Sequence, residues 1–347
     1  MSTRRRLNKY LRKSYILPLL ALICLVILWR LPRPDERNGV KSIQKPAANA
    51  RENIPAPTLR VASHPATESP PSDTLNFTVV TGASDGYFGG LRNLVGSIHF
   101  WEPRTNIVVY DLGLANFQKR LISQWCWTTL LSFDFAQYPA HVSVLKEYAW
   151  KPVIMKDAVD KYGKILWIDA GSDVRGPLKK IDKYLSQDGH FLVQGQDEDM
   201  TLFSHNATFK YFSSSKEEFL KKPSYSGNLQ GWVRGSRAYI DILLPLKACA
   251  LTPECITPPG SMLFNHRYDQ TALSILAYKS GLPITPHTEL LAAERRQLSE
   301  NYRQPSDMVV YTARQYSSDY AYSLCTFGSK GWKIVEAFLS FLRWLFS

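Results

Sequence analysis

Short β-branched runs alternate with segments of helical spacing from residue 76 onward. Leu75–Thr81 and Thr105–Tyr110 are two of these runs, and Lys164–Ile168, which is fully apolar after Lys164, is a third. Alternating strands and helices pack as a mainly parallel sheet that is covered by helices. The pattern therefore predicts an α/β domain over residues 76–328, with a ligand site beyond the carboxyl ends of the strands.

The remaining predicted elements follow the same two periodicities. Further strands are expected at Leu130–Phe135 and Phe191–Gln194, and helices at Leu91–Trp101, Asn116–Trp125, Lys151–Tyr162, Ser236–Cys249 and Tyr268–Gly281. An extended segment restarts at Leu282 after the last of these helices. The chain shows no internal repeat.

The N-terminal segment joins a basic stretch to an uncharged one. Residues 15–29 carry no charge. Six basic residues precede them: Arg4, Arg5, Arg6, Lys9, Arg12 and Lys13. Basic flanks stay on the cytosolic side of a membrane, so we expect a cytosolic tail (1–14) and a type II signal-anchor helix (15–31). A cleaved signal peptide is the alternative, but no small-residue cleavage site follows.

Residues 32–75 hold eight prolines and many small polar residues, without hydrophobic periodicity. Such a segment buries too little apolar surface to fold, and proline keeps it extended, so it is predicted to be a stem. The short anchor suits the thinner bilayers of the early secretory pathway, which predicts a lumenal body in the Golgi or endoplasmic reticulum. The apolar segment 329–347 is predicted to be a helix, either docked on the core or lying in the membrane interface.

The charge distribution argues against nucleic acid as a partner. The chain has a net charge of +12, but residues 1–75 contain 13 Lys or Arg residues and 5 Asp or Glu residues. The body is left with a charge of +4, and it lacks the dense basic patch that nucleic-acid binding requires. The basic excess therefore belongs mostly to the tail and stem.

Two features agree with a lumenal body. Asn76 and Asn206 each begin an N-x-Thr glycosylation sequon. Four cysteines lie beyond the anchor: Cys126, Cys249, Cys255 and Cys325. An oxidising compartment would allow two disulfides. The short loop between Cys249 and Cys255 favours that pair and leaves the other two to each other, with a buried free thiol as the alternative.

The strongest chemical signal is an apolar strand that runs directly into a carboxylate. Ile165–Asp173 has the sequence ILWIDAGSD, in which small residues separate Asp169 from Asp173. Two carboxylates at a strand end can hold a divalent cation, and that cation can neutralise a diphosphate. The alternative is a polar turn in which Asp169 caps the backbone that follows.

This strand end resembles the acidic motif of the GT-A group of nucleotide-sugar glycosyltransferases, in which a D-x-D-like motif follows an apolar strand of a Rossmann-like domain. Asp169 matches the first acid of that motif. The match departs at Gly171, which stands where the second acid is expected, and Asp173 comes two residues later. The departure leaves three possibilities open: a metal held by both acids, a metal held by one acid and the diphosphate, or no metal.

Two further segments strengthen the resemblance. Tyr148–Pro152 (YAWKP) lies upstream and His266–Gln270 (HRYDQ) lies downstream, and several little-characterised transferase-like families combine such segments in this order. The resemblance covers roughly 77–325. It implies a GT-A-like domain, a nucleotide-diphosphate sugar such as a UDP-sugar as the donor, a glycan or glycoprotein hydroxyl as the acceptor, and Mn²⁺ or Mg²⁺ as the cofactor.

The resemblance also implies roles for single residues. Asp269 would face the sugar and acceptor, as a general base or as a ligand of donor hydroxyls, with simple helix capping as the alternative. The donor-binding positions implied are Thr81, Gly82, Asp169, Ala170, Gly171, Arg267 and Gln270. The metal ligands implied are Asp169, Asp173 and His287. Other candidates for diphosphate charge are Lys151, Arg175, Arg295 and Arg296.

A glycine- and amide-rich segment, Ser226–Trp232, is predicted to be a loop before a helix. Amide groups suit sugar hydroxyls, and aromatic faces suit the apolar surfaces of sugar rings. The residues expected to bind the donor sugar or acceptor are Asn228, Gln230, Gly231 and Trp232. An ordinary turn with Trp232 in the core is the alternative.

Two other functions are weighed against the transferase. Val79–Gly89 (VVTGASDGYFG) resembles the glycine-rich nucleotide loop of short-chain dehydrogenases. Its third glycine comes one residue late, however, and the chain contains no Y-x-x-x-K pair, so an oxidoreductase is less favoured. A P-loop is also absent from the sequence. The remaining alternative is a non-catalytic lumenal carbohydrate-binding protein on the same fold.

Overall fold

The computed structural model describes residues 75–284, 291–292, 309–312 and 319–327. The predicted tail (1–14), anchor (15–31) and C-terminal helix (329–347) lie outside these residues, as do nearly all of the stem and His287. In the part of the chain that is described, no helix has the length and apolar character needed to cross a membrane.

Six strands form the main sheet, and three short strands form a second one. The strands are β1 (Thr78–Ala83), β2 (Ile107–Asp111), β3 (Thr128–Ser132), β4 (Lys164–Ile168), β5 (Asp173–Val174), β6 (His190–Gln194), β7 (Tyr225–Val233), β8 (Leu291–Ala292) and β9 (Val310–Tyr311). The main sheet has the order β3-β2-β1-β4-β7-β6, and the small sheet has the order β5-β9-β8.

The main sheet is parallel except for one strand. Strands β1 to β4 pair in parallel, whereas β7 runs antiparallel to both of its neighbours, β4 and β6. The carboxyl ends of β1, β2, β4 and β6 therefore share one edge, and the first residues of β7 lie at that same edge. The predicted α/β domain with a mainly parallel sheet is confirmed.

Helices cover both faces of the sheet. They are α1 (Phe88–Trp101), α2 (Asn116–Ile122), α3 (Trp150–Tyr162), α4 (Lys179–Asp188), α5 (Asn206–Tyr211), α6 (Leu244–Ala250), α7 (Pro253–Ile256) and α8 (Asp269–Lys279). A π-helical turn, Tyr239–Leu243, leads into α6. Short 3₁₀ turns lie at Asp85–Tyr87, Phe135–Gln137, Ala140–Ser143, Leu145–Glu147, Met200–Phe203, Lys216–Phe219 and Ala321–Ser323.

Strand β4 is buried on both faces from Ile165 onward, as its apolar sequence after Lys164 predicts. Ile165 and Trp167 pack in the core cluster formed with α3, α6 and α8. Leu166 and Ile168 pack in the opposite cluster, formed with α1 and α4. Each fully buried apolar side chain contributes about 1.5–3 kcal/mol. These two layers hold the strand that leads into Asp169.

The segment predicted to be a loop, Ser226–Trp232, is instead the interior of β7. Its glycines and amides are poor strand formers, but pairing with β4 and β6 on both sides overrides that preference. Gly231 has a packing role: a Cβ atom there would lie 2.5 Å from Leu185 Cδ2 and 2.9 Å from Phe191 Cβ. The glycine therefore lets α4 approach the sheet, and it is not a turn residue.

Disulfides join Cys249 to Cys255 and Cys126 to Cys325. The first connects α6 with α7. The second connects the residues before β3 with the segment 319–327. His99 lies beside it: the Cys325 amide donates to Nδ1 (3.0 Å), so Nε2 carries the proton and donates to the Cys126 carbonyl (2.9 Å).

Candidate active site

Four chain segments meet beyond the carboxyl end of β4. Asp169 follows the strand directly, and Lys151 is the second residue of α3. Gly227 lies near the start of β7, which reaches this edge because it runs antiparallel to β4. Asp269 is the first residue of α8. The three separate sequence motifs noted above thus each supply one residue to a single group.

Oxygen atoms surround the Lys151 ammonium group. Nζ lies 2.9 Å from Asp169 Oδ1 and 3.2 Å from Oδ2, and it donates to the Gly227 carbonyl at 3.2 Å. Asp269 Oδ2 lies 3.6 Å away. The Lys151 side chain is only 4% exposed. A charge so far removed from water requires close partners of opposite sign, and this arrangement supplies them.

Aromatic rings close the site around the Lys151 ammonium. Nζ lies 5.3 Å from the ring centroid of Tyr148 and 5.8 Å from those of Trp150 and Trp167, within the range of cation–π attraction. Burial alone would lower the pKa of Lys151. The carboxylates of Asp169 and Asp269 outweigh burial and hold this pKa above its ordinary value, so the group is charged.

Asp169 is the accessible acid of this group. Its Oδ1 accepts a hydrogen bond from Trp167 Nε1 (2.7 Å) and forms the ion pair with Lys151 at 2.9 Å. Oδ2 accepts the hydrogen bond of Lys151 (3.2 Å) and has no second donor among the described residues. The side chain is 35% exposed. Asp169 can therefore accept one more hydrogen bond from a ligand.

Asp269 is nearly enclosed. Its side chain is 7% exposed, and Oδ2 has no hydrogen-bond donor within reach among the described residues. Burial raises the pKa of Asp269, the ammonium of Lys151 opposes this effect, and Asp169 adds to it. A carboxylate with a raised pKa is better suited to receive a proton near neutral pH than an exposed one.

A second polar group lies next to the first. Gln270 Nε2 donates to Ser224 Oγ (2.8 Å) and lies 3.5 Å from Asp197 Oδ2. Arg267 Nε also lies 3.5 Å from Asp197 Oδ2, and its guanidinium stacks on Phe203 at 4.6 Å. Burial raises the pKa of Asp197, and the charge of Arg267 lowers it by less, so the pKa stays above its ordinary value. The structure thus directs Arg267 and Gln270 toward Asp197.

Asp197 was missed by the sequence analysis. It follows Gly195, where a Cβ atom would lie 2.5 Å from Ser224 Oγ and 2.7 Å from Gln270 Nε2. The signal that could have indicated Asp197 is its position shortly after β6. Because β6 runs parallel to β4, an acid that follows β6 lies at the same edge of the sheet as Asp169. Periodicity alone does not reveal that parallel placement.

Asp173 does not join Asp169. It lies in β5, fully buried, and Arg175 pairs with both of its oxygens (2.8 and 3.2 Å). Asn93 Nδ2 adds a third hydrogen bond at 3.1 Å. The turn at Gly171 and Ser172 directs the second acid into the contact between α1 and the small sheet.

The predicted Mn²⁺ or Mg²⁺ site does not fit the described residues. They contain no group of three His, Cys, Asp or Glu side chains that could hold a metal ion. Asp169 is paired with Lys151, Asp173 is paired with Arg175, and His287 lies outside the described residues. The two described carboxylates predicted to be metal ligands thus form ion pairs with basic side chains of the protein itself.

The donor positions predicted at β1 are not accessible. Thr81 is fully buried and Gly82 lies within the strand, where a Cβ atom would be 3.1 Å from Leu112 and 3.5 Å from Trp167. Ala170 is also buried, at 4% exposure. The side chains here support the sheet, and the exposed residues of this strand end begin after Ala83.

Of the four residues predicted to bind sugar in the 226–232 segment, one lies at the site. Asn228 Nδ2 donates to Thr312 Oγ1 (2.7 Å), and its Oδ1 accepts from Ser172 Oγ (2.8 Å). Gln230, Gly231 and Trp232 are buried inside the sheet. The strand places the Trp232 ring in the core, which is the alternative given above to a sugar platform.

Asn76 and Asn206 are both exposed. Asn76 precedes β1, and Asn206 is the first residue of α5. Both asparagine side chains are therefore accessible in the folded domain.

Together, these elements define an α/β domain with a buried ammonium–carboxylate group beyond the carboxyl end of β4, the edge at which open α/β sheets generally bind ligands. The sequence profile of one family, described as a protein of unknown function (DUF1647), matches residues 62–156. That segment contains Lys151. The comparison with curated protein sequences finds no match.

Several solved structures are similar to the chain at low identity. The galactosyltransferase LgtC, in complex with donor and acceptor sugar analogs, is 13% identical with a TM-score of 0.48; the match covers 74% of this chain and 99% of that one. Mouse xyloside xylosyltransferase 1, in its apo form, is 9% identical with a TM-score of 0.43, covering 68% and 97%. The apo bifunctional glycosyltransferase WbbM is 15% identical with a TM-score of 0.41, covering 66% and 41%.

Proposed function

We propose that this protein is a glycosyltransferase that moves a sugar from a nucleotide-diphosphate donor, with a UDP-sugar as the first candidate, to a hydroxyl of a glycan or glycoprotein. One observation carries the proposal. Lys151, Asp169 and Asp269 come from the three motifs that resemble GT-A enzymes, and they meet within 3.6 Å of one ammonium nitrogen. That meeting point lies where open α/β sheets bind ligands.

The charges at this edge suit the reaction. A departing nucleoside diphosphate gains negative charge, and fixed cations aimed at that charge lower the barrier. Arg267, with a side chain that is 25% exposed, is available to the diphosphate. Asp269 faces the sugar, where a carboxylate can bind donor hydroxyls or accept the proton of the acceptor hydroxyl. Asp169 Oδ2, which already accepts from Lys151, can accept a second hydrogen bond from a hydroxyl of the donor.

The proposal is tested with full-length protein purified in detergent from a eukaryotic secretory host. Donor hydrolysis and transfer are measured over a panel of UDP-, GDP- and CMP-sugars, beside Asp169→Asn and Asp269→Asn. We expect turnover of one donor and a loss of roughly 10²-fold or more in each variant. Asp241→Asn is the matched control, because that acid pairs with Arg237 on the surface.

Two outcomes would count against the transferase. A folded protein that binds no nucleotide and no nucleotide sugar would contradict it. Glycan binding without any nucleotide binding would support the carbohydrate-binding alternative on the same fold.

We further propose that the body is lumenal and is held in the Golgi or endoplasmic reticulum membrane by the anchor at 15–31. Two disulfides and two exposed sequon asparagines support an oxidising, glycosylating compartment. Enzymatic deglycosylation should shift the protein on a gel, and the shift should shrink stepwise in Asn76→Gln and Asn206→Gln. A protein without glycans, accessible to protease in intact microsomes, would contradict this topology.

A further inference from the structure

Four oxygen atoms face one position beyond β4, and an ammonium nitrogen occupies that position. The oxygens are both carboxylate atoms of Asp169, the carbonyl of Gly227 and Oδ2 of Asp269. Carboxylate and carbonyl oxygens are the ligands that hard divalent cations prefer. The position therefore has the chemistry of a metal site, but the charge within it belongs to Lys151.

We propose that Lys151 takes the place of the divalent cation, so that this protein binds the diphosphate of its donor without a metal. The proposal rests on the proposed function for the identity of the ligand. It concerns the cation itself, however, and that part is measurable without any donor.

The Lys151 ammonium is buried and enclosed by other side chains. The Lys151 side chain is 4% exposed and lies among Tyr148, Trp150 and Trp167. Withdrawing it would leave the enclosed carboxylate of Asp269 without the one cation that pairs with it among the described residues, a strongly unfavourable state. A metal ion would therefore have to displace the ammonium of Lys151, which is part of the chain and already lies beside the two acids.

The acids give a metal little to bind. Asp169 Oδ1 accepts from Trp167 Nε1 and lies 2.9 Å from the Lys151 ammonium, and Oδ2 accepts a hydrogen bond from Lys151. Both oxygens of Asp169 therefore already have a donor beside them. Gly171 stands where a second acid would be expected, and Asp173 is held by Arg175. The Asp169 side chain is 35% exposed, and the charge beside it is already that of Lys151, so it suits a hydroxyl of the sugar or ribose better than a metal.

The test measures Mn²⁺ binding to the full-length protein by electron paramagnetic resonance. The variants are Asp169→Asn, Lys151→Ala, and Lys151→Ala combined with Asp169→Asn. Removing the ammonium leaves the acidic oxygens without their cation, so Lys151→Ala should gain an Mn²⁺ site at least tenfold tighter than any site that depends on Asp169 in the wild type. The double variant should lose that gained site. Lys156→Ala, on the exposed side of the same helix, is the matched control and should gain nothing.

Two results would overturn the proposal. The first is an Mn²⁺ site in the wild type that disappears in Asp169→Asn. The second is a folded Lys151→Ala protein, with a native circular dichroism spectrum, that gains no Mn²⁺ site. Lys151→Ser is the second variant if Lys151→Ala does not fold, and the wild-type measurement decides against the proposal without any variant at Lys151.

UDP binding separates this proposal from the proposed function. We expect chelator to change the affinity of the wild type for UDP by less than twofold, and we expect Lys151→Ala to require Mn²⁺ for the same affinity. A tenfold loss of UDP affinity on chelation in the wild type would overturn the metal-free site. A wild type that binds no UDP-, GDP- or CMP-nucleotide under either condition would count against the proposed function, while the Mn²⁺ comparison would still decide the role of Lys151.

Discussion

Gly227 faces the carboxylate of Asp269 so closely that a Cβ atom at Gly227 would lie 3.0 Å from Asp269 Oδ2. This distance is shorter than the usual optimum for nonbonded contact. Asp269 Oδ2 is buried, and the Lys151 ammonium lies 3.6 Å from it. The absence of a side chain at Gly227 therefore allows the strand carbonyl and the helix carboxylate to face the same ammonium group.

We expect Gly227→Ala to displace Asp269 by a few tenths of an ångström. Misplacing a group that contacts the substrate is costly in rate, so donor turnover should fall by roughly tenfold or more. The fold should lose only about 1–2 kcal/mol, as in other cases of mild overpacking. Kinetics and urea unfolding of the same preparation measure both effects. Unchanged turnover in a folded protein would show that Asp269 does not act at a defined position.

The burial of Trp232 distinguishes a core residue from a sugar platform. Trp232→Phe should reduce the free energy of unfolding by about 1–3 kcal/mol, because it leaves a cavity in the sheet packing, and the KM for donor should stay unchanged. Asn228→Ala should instead raise KM, since Asn228 positions the turn at Ser172 beside the site. Urea unfolding and steady-state kinetics check both variants. A raised KM with unchanged stability in Trp232→Phe would favour the original loop interpretation.

His99 should make stability depend on pH. Burial lowers the pKa of His99 to about 4, whereas an exposed histidine titrates near 6.5. The unfolded chain therefore takes up a proton first as the pH falls, and stability that is complete above pH 6.5 is lost between 6.5 and about 4. This group should lower the free energy of unfolding by about 2 kcal/mol between pH 7 and pH 5.

The variant His99→Gln isolates that contribution. Glutamine can donate to the Cys126 carbonyl and accept from the Cys325 amide without titrating in this range. The difference in unfolding free energy between pH 7 and pH 5 should shrink by about 2 kcal/mol in the variant. An equal pH dependence in both proteins would mean that His99 is not held neutral in the fold.

The two disulfides should contribute unequally to stability. Cys126 and Cys325 are 199 residues apart, whereas Cys249 and Cys255 are 6 apart. In the chain-entropy account, closing the longer loop stabilises by about 3 kcal/mol more. Replacing each pair by serines and measuring urea unfolding tests this ordering. A larger loss from the short-loop pair would show that local strain or packing outweighs loop entropy.

Strand β4 shows what a sequence predicts well. Its apolar run was predicted at Lys164–Ile168, and the structure has the same bounds, because a strand buried on both faces is marked by its own residues. Strand β7 shows the opposite case. Its glycines and amides are typical of a loop, and only pairing with β4 and β6 makes them a strand.

The candidate active site also has parts that the sequence predicts and parts that only the tertiary structure reveals. The sequence indicated Asp169 and Asp269 as separate candidates, and it indicated Lys151 only as one of several cations. It did not indicate that one ammonium would lie between the two acids, nor that Asp197 would stand beside Gln270. These are contacts between residues far apart in the chain, and no local period reports them.

By itself, the sequence determined the alternation of strands and helices and the acid that ends β4, because side-chain burial and strand propensity act over a few neighbouring residues. Only the tertiary structure decided which charge each acid receives. Lys151 lies between Asp169 and Asp269, which belong to separate segments of the chain. A carboxylate becomes a metal ligand or an ion-pair partner according to the cation that the packing places beside it, and that packing joins α3, β4, β7 and α8 from distant parts of the chain.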